Sequence, residues 1–132
     1  MENIDKYYVL FAEADFHFLL PLSWVAYIED GNKKHEESVF FSILYGKIMS
    51  GQSRYRICLQ RDKSRFDVAA EKVLGVRCIE ESECIELKKP VINAGNTYLK
   101  AVALLEESRE QKIPSYILNM DMLVKKEALW NI

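Results

Sequence analysis

The chain has 132 residues, of which 49% are apolar and 29% charged, so it can bury the core of one domain and is not a disordered chain. Lys and Arg number 18 against 20 Asp and Glu, and a net charge of −2 disfavours nucleic acid as the main partner, because a phosphate-binding surface needs an excess of cations. Five Gly and three Pro leave little material for glycine-rich phosphate loops or long linkers.

The first twenty residues predict a β-hairpin. Residues 7–13 and 16–20 are rich in aromatic and branched side chains, and Ala14-Asp15 between them is a plausible tight turn. Both strands are apolar on both faces, which predicts that other parts of the chain pack on each side of them. Pro21 then interrupts the ladder, because proline donates no backbone hydrogen bond.

An extended pattern resumes at 23–28. Strict alternation there predicts two faces, with Trp24, Ala26 and Ile28 on one and Val25 and Tyr27 on the other. A polar loop at 29–37 follows.

The period changes at Ser38. Apolar residues recur at helical spacing from Val39 to Leu44, Ser38 is a suitable N-cap and Gly46 lies where a helix would end. These features predict a short helix at 38–45, followed by a flexible connection at 47–53.

A second hairpin is predicted from residues 55–60 and 66–70, of which the first arm alternates well between apolar and polar residues. A further extended segment runs from Val73 to about Ile79. Residues 80–96 are mostly polar, contain Pro90 and Gly95, and predict mostly loop.

The segment 98–107 is ambiguous. Its composition favours a helix, yet a polar turn and the apolar residues 113–118 follow, and this order also fits a hairpin. Asp121 can cap a terminal helix at about 122–130, with Leu123 and Trp130 on one face. About eight short strands, two short helices and no alternation of strand and helix predict a mostly β sandwich or barrel.

The residue types that carry catalysis do not form a set that the sequence can identify. His17 lies in an apolar strand and His35 in a charged loop, and there is no Walker, GxGxxG or HExxH motif. The three cysteines form no CxxC pair and predict reduced thiols, with Cys58 as a small buried residue. We therefore predict no catalytic residues, no metal and no cofactor.

One hairpin gathers positive charge. The five residues around it could meet an acidic partner, but a solvated hairpin face is the more common explanation of such a cluster. They are Arg54, Arg56, Arg61, Lys63 and Arg65.

The order of segments resembles the CheW-like domain family. The resemblance is carried by Tyr8-Val9-Leu10-Phe11, the Phe18-to-Ile28 segment with Pro21, Phe41-Ser42-Ile43-Leu44-Tyr45-Gly46, Ala70-Glu71-Lys72-Val73-Leu74-Gly75-Val76, Tyr98-Leu99-Lys100-Ala101-Val102-Ala103 and Ile117-Leu118-Asn119-Met120-Asp121-Met122-Leu123. Each match is mostly an apolar strand with one or two marker residues, so the specificity lies in their order over about 115 residues.

The resemblance implies a mostly β fold of two small SH3-like β-barrels packed together as one domain over residues 1–132. It also implies that residues 98–105 form a strand, against their local propensity.

The chain departs from the family's pattern in the interval 29–38. That interval is too short for the strand pair with an Arg-Gly marker that the family usually carries there, so one barrel is predicted to be incomplete. Glu71 and Asn119 stand where Asp is usual, and Ala101 where Gly is usual. The chain resembles a shortened, divergent member, and the open edge left by a missing strand pair would be covered by the loop or by a second copy.

The resemblance implies a non-enzymatic adaptor of chemotaxis-type signalling. Its partners would be a chemoreceptor signalling tip and the regulatory domain of a histidine kinase, with no nucleic acid and no membrane insertion. The predicted partner-binding residues are Val25, Ile28, Val73, Leu74 and Trp24. Two alternatives remain open, namely a β-barrel that binds a small ligand or peptide, and a structural homodimer formed through an open sheet edge.

The start of the chain predicts a cytoplasmic location. Residues 1–6 include two acids and no cluster of positive charge before an apolar stretch, unlike a signal peptide. The longest apolar stretch, 16–28, is too short to span a bilayer.

Overall fold

The computed structural model describes residues 6–30, 38–43, 47–51, 55–61, 64–88, 99–108 and 111–123. These residues form eleven β-strands, and short 3-10 helices lie at Leu22–Trp24 and Glu81–Glu83. The strands are β1 (Tyr7–Glu13), β2 (Phe16–Pro21), β3 (Val25–Asp30), β4 (Ser38–Ser42), β5 (Lys47–Gly51), β6 (Tyr55–Arg61), β7 (Ser64–Ala70), β8 (Lys72–Cys78), β9 (Cys84–Glu86), β10 (Leu99–Ser108) and β11 (Gln111–Leu118).

The strands form two sheets. The six-stranded sheet has the order β8-β1-β2-β11-β10-β9, and the five-stranded sheet has the order β3-β6-β7-β4-β5. The hairpins β1–β2, β6–β7 and β10–β11 are antiparallel, whereas β11 pairs with β2, and β4 with β7, in parallel. The two predicted hairpins at 7–20 and 55–70 are confirmed, and so is the strand at β10 that the resemblance implied.

The larger core lies between the two sheets and takes side chains from both. We call it the shared core. Its buried members are Val9, Phe11, Phe18, Leu20, Trp24, Phe41, Ile43, Ile57, Leu59, Val68, Ala70, Leu118, Met120 and Leu123.

A second core lies on the opposite face of the six-stranded sheet. Leu10 and Leu19 are fully buried there, one residue along from the shared-core residues Val9 and Phe18. Successive side chains of a strand point to opposite faces, so β1 and β2 each serve both cores. The predicted two-sided burial of the first hairpin is confirmed.

The predicted helix at 38–45 is wrong over its described residues, because Ser38–Ser42 form β4. Phe41 is fully buried in the shared core, and its sequence neighbours Phe40 and Ser42 are also buried. Strand β4 pairs with β5 on one side and β7 on the other, so burial inside a sheet outweighs the helical spacing. Leu44, Tyr45 and Gly46 lie outside the described residues.

The predicted flexible connection at 47–53 is also wrong over 47–51. These residues form β5, which pairs with β4 along all five of its residues. The five-stranded sheet therefore contains the antiparallel pair β4–β5 where the sequence predicted a helix and a connection. The prediction of an incomplete barrel depends on the interval 29–38, most of which lies outside the described residues, and it stays a prediction. Residues 31–37, 52 and 53 lie outside the described part of the chain.

The segment after Pro21 turns before it extends. Leu22–Trp24 form a 3-10 helix that begins after Pro21, so the strand predicted from Ser23 begins only at Val25. The chain leaves the ladder at Pro21 because proline has no N–H to donate.

A helical turn begins at Met120 and is described to Leu123. The side chain of Asn119 accepts a hydrogen bond from the Met122 N–H at 3.3 Å, so the cap is Asn119 and not the predicted Asp121. The predicted partner Trp130 lies outside the described residues.

A glutamate holds the turn between β1 and β2. Ala14 adopts a left-handed conformation with φ +52°, and its N–H donates to Oε2 of Glu71 at 2.9 Å. The Glu71 N–H donates in turn to the Ala12 carbonyl at 2.9 Å. Burial, and then the neighbouring Glu71 carboxylate, raise the pKa of the partly buried Glu13.

Glu13→Gln should stabilise the protein at neutral pH. The pKa of Glu13 is higher in the folded state than in the unfolded state, so the protonated carboxyl stabilises the folded protein at low pH. This stabilisation is lost as pH rises through the folded-state pKa. We expect a gain of no more than about 0.5 kcal/mol at pH 7, because solvent screens a partly buried group. Thermal unfolding should show this gain shrinking to nothing below about pH 4. A gain that persists unchanged in acid would contradict this account of Glu13.

Candidate protein-binding surface

Strand β3 forms one edge of the five-stranded sheet and pairs with β6. Val25 lies opposite Leu59, Tyr27 opposite Cys58 and Ile28 opposite Ile57, so the register shifts by one residue around Ala26. A residue inserted in this way puts Val25 and Ile28 on the same face, the face of the shared core. The predicted alternation, with Val25 beside Tyr27, is therefore wrong.

The other predicted strand of the site, β8, forms an edge of the six-stranded sheet. Val73 lies opposite Phe11 and packs against the shared core, whereas Leu74 packs against the second core. The structure thus brings Val25 and Val73, from different sheets, to the border of one core, and turns Leu74 away from it. Gly75, with φ +101°, lies within the register shift between Val73 and Val76 and allows it.

The predicted residues differ in how far solvent reaches them. Ile28 is 41% exposed, Val25 and Val73 are partly buried, and Trp24 is buried at 8% exposure. Trp24 belongs to the shared core, and the guanidinium of Arg61 lies 5.1 Å from the centre of its ring. A partner could therefore touch Ile28 directly, while Trp24 supports the start of β3 from beneath.

Sequence reasoning missed a row of apolar side chains that crosses the six-stranded sheet. Cross-strand pairing sets these residues in line from one edge to the other: Val73, Phe11, Phe18, Tyr116, Val102 and Ile85. The first four contribute to the shared core, but Ile85 is 58% exposed, and Leu104, two residues beyond Val102, is 48% exposed. The far end of the row is an exposed apolar patch that cross-strand register, invisible in the sequence, creates.

Two of the three cysteines are poorly placed for nucleophilic chemistry. Cys58 is fully buried, as predicted, and burial followed by the nearby Glu83 carboxylate raises the pKa of the Cys84 thiol. A raised pKa keeps that thiol protonated at neutral pH and makes it a poor nucleophile. No cluster of three or more His, Cys, Asp or Glu in this part of the chain could hold a metal ion.

Among the described residues, no helix is both long and apolar enough to cross a membrane.

Comparison with known proteins shows a likeness in structure. No family model matches the chain, and no curated protein sequence matches it. The structure is similar to the crystal structure of the scaffolding protein TtCheW from Thermoanaerobacter tengcongensis, with a TM-score of 0.63 over 92% of this chain and 89% of that chain. Sequence identity is 15%, so the likeness establishes the fold. The chain has the mostly β, CheW-like fold that the resemblance implied.

Proposed function

We propose that this chain is a non-enzymatic, cytoplasmic adaptor of chemotaxis-type signal transduction that works as a single domain. It would couple the signalling tip of a chemoreceptor to the regulatory domain of a histidine kinase through protein–protein contacts. The observation that carries the proposal is the fold shared with a scaffolding protein over nine-tenths of both chains. Fold alone does not determine function, so the proposal must be tested at the residues of the candidate surface.

The exposed apolar residues at β3 support a binding role. Ile28 and Tyr27 are both more than two-fifths exposed on an edge strand, and Leu22 just before them is also exposed. Large apolar and aromatic residues in such positions are typical anchors of protein interfaces. Val25, Val73, Leu74 and Trp24 would complete the site by shaping and supporting this surface from the cores beneath.

Direct titration tests the proposal. The protein should bind a purified receptor tip, a kinase regulatory domain from the same organism, or both, with a Kd of about 100 µM or tighter. Binding to neither would overturn the adaptor proposal in favour of a ligand-binding barrel or a structural homodimer. Light scattering over a range of concentrations separates those two, since only the homodimer changes mass.

Ile28→Asp should weaken partner binding at least about tenfold, because a buried interface cannot accept a desolvated carboxylate. The variant should still fold, since Ile28 is 41% exposed. Leu104→Asp, at a similarly exposed position on β10, is the matched control and should leave affinity within about twofold. The reverse result would move the binding surface to the patch around Ile85 and contradict the assignment of β3.

A further inference from the structure

Two arginines flank the first half of β3. Gln60 pairs with Arg65 across the β6–β7 hairpin, so these two side chains share a face, and Arg61, the next residue along β6, lies on the other. The Arg61 guanidinium lies 5.1 Å from the Trp24 ring, and that of Arg65 lies 5.9 Å from the Tyr27 ring. One cation therefore lies beside β3 on each face of the sheet.

Both guanidinium groups are held in place by aromatic rings. Nη2 of Arg65 donates a hydrogen bond to Oη of Tyr27 at 2.8 Å, which adds to its ring contact. A guanidinium stacked on a ring keeps edge N–H groups available for a carboxylate. The ion pairs Lys6–Glu80 and Arg56–Asp67 join other cations, and neither of them includes Arg61 or Arg65.

The strand between these cations has an open edge in the described structure. β3 pairs with β6 on one side, and its other side faces no described strand. Tyr27 is 46% exposed on the face of Arg65, and Ile28 is exposed on the face of Arg61. Along residues 25–28, an added strand would meet backbone groups that pair with no described strand on that side. On each of its faces it would also meet one apolar side chain and one cation.

We propose that the open edge of β3 binds an extended acidic segment of a partner protein as a sixth strand of this sheet. Neighbouring residues of an added strand point to opposite faces of the sheet. Two acidic residues that point to opposite faces would therefore reach Arg61 and Arg65, one each. Apolar neighbours in the added strand would cover Tyr27 and Ile28. This inference rests on the proposed function, since it names the chemistry of one partner of the adaptor.

Both cations lie beside the first half of β3, so the acidic residues of the partner lie near Val25 and Tyr27.

The two edges of the six-stranded sheet are less suited to an acidic strand. Exposed Glu80, Glu81 and Glu83 precede the three-residue β9 and would repel it. On β8, Nη1 of Arg77 donates to the carbonyl of its own neighbour Val76 at 3.2 Å, and no ring contact like those of Arg61 and Arg65 orients this guanidinium among the described residues.

A labelled synthetic peptide provides the test. The probe has about eight residues, the length of an ordinary strand, and consists of a Glu-Glu pair followed by alternating Val and Thr. Its matched control replaces both Glu by Lys. Fluorescence anisotropy should show binding of the Glu peptide that is at least about tenfold tighter than that of the Lys peptide. Equal affinity for the two peptides, or no binding of the Glu peptide, overturns the proposal.

Variants of the full chain locate the site. Combining Arg61→Gln with Arg65→Gln should weaken binding of the Glu peptide at least about tenfold, while Arg77→Gln, the exposed arginine of β8, should change it less than about twofold. Combining Arg61→Glu with Arg65→Glu should reverse the preference toward the Lys peptide, which loss of folding cannot mimic. Equal effects of the β8 and hairpin variants overturn the assignment.

Hydrogen exchange identifies the mode of binding. Addition of the Glu peptide should slow exchange of β3 amides and leave those of β9 unchanged. Arginine-dependent binding of an oligonucleotide or an anionic vesicle more tightly than the peptide would overturn the choice of a protein segment, and arginine-dependent dimerisation would replace the partner by a second copy. If the receptor tip or kinase domain still binds while the peptide does not, this inference fails and the adaptor proposal stands.

Discussion

Phe11→Ala should lower the free energy of unfolding by about 3–5 kcal/mol, the cost of removing a buried aromatic side chain and leaving a cavity. Phe11 is fully buried at the middle of β1, and its ring centre lies 5.5 Å from that of Phe18. It also lies opposite Val73, so it contacts neighbours on both adjacent strands. Loss of the tilted ring pair adds to the loss of buried area.

The same variant tests whether the two sheets unfold together. Phe11 belongs to the six-stranded sheet, but the shared core around it includes Phe41, Ile57 and Val68 of the five-stranded sheet. A cavity in that core should therefore lower a single cooperative transition in urea, with the slope unchanged. Leu104→Ala, at an exposed position of the same sheet, should cost less than about 0.5 kcal/mol. Two separate transitions, or a loss under about 1 kcal/mol for Phe11→Ala, would contradict a core shared by both sheets.

The strands with clear alternation or two-sided apolar faces could be predicted from sequence. β1, β2 and β6 are examples, because their apolar patterns directly reflect burial between other layers. β10 is different: its residues favour a helix, and only the resemblance to a family implied a strand, because pairing with β9 and β11 overrides local propensity.

The error at β4 has the same physical origin. Phe40 and Phe41 are adjacent and both buried, which happens in a strand covered on both faces and also in a helix inside a core. Five apolar or small residues cannot distinguish these cases. β5 follows β4 closely, but β7, the partner that covers the other side of β4, comes only after β5 and β6 in the chain. Long-range pairing of this kind leaves no local signature.

The candidate surface stays a prediction, and parts of its geometry have no signal in the sequence. The sequence and the family resemblance indicated β3 and β8, but the one-residue shift at Ala26, which puts Val25 and Ile28 on one face, has no sequence signal. Positive charge at the β6–β7 hairpin was visible in the sequence. The partners of these arginines depend on cross-strand register, which the sequence does not show. Arg56 pairs with Asp67, whereas Arg61 lies on the ring of Trp24 and Arg65 on the ring of Tyr27.

Asp67→Ala should destabilise the protein by about 2 kcal/mol, because it leaves the charge of Arg56 buried without this carboxylate. Arg56, the second residue of β6, is 6% exposed, and its Nη1 lies 3.7 Å from Oδ2 of Asp67. Its Nε atom is buried and has no hydrogen-bond partner, so the guanidinium is already incompletely satisfied. Asp67 is partly exposed, which keeps the expected loss below that of a fully buried pair.

Arg56→Met should cost less than about 1 kcal/mol, because it removes the charge that is expensive to bury and retains most of the volume. The double variant Arg56→Met with Asp67→Ala should then recover most of the stability lost in Asp67→Ala alone, as urea unfolding of all four proteins would measure. Both single variants remove the ion pair, but only Asp67→Ala leaves a buried cation without that carboxylate. Equal losses of stability for the two would therefore mean that the loss of the ion pair, and not the burial of the cation, explains the effect. The asymmetry follows from burial: water can compensate the partly exposed carboxylate when its partner is lost, but it cannot reach the guanidinium.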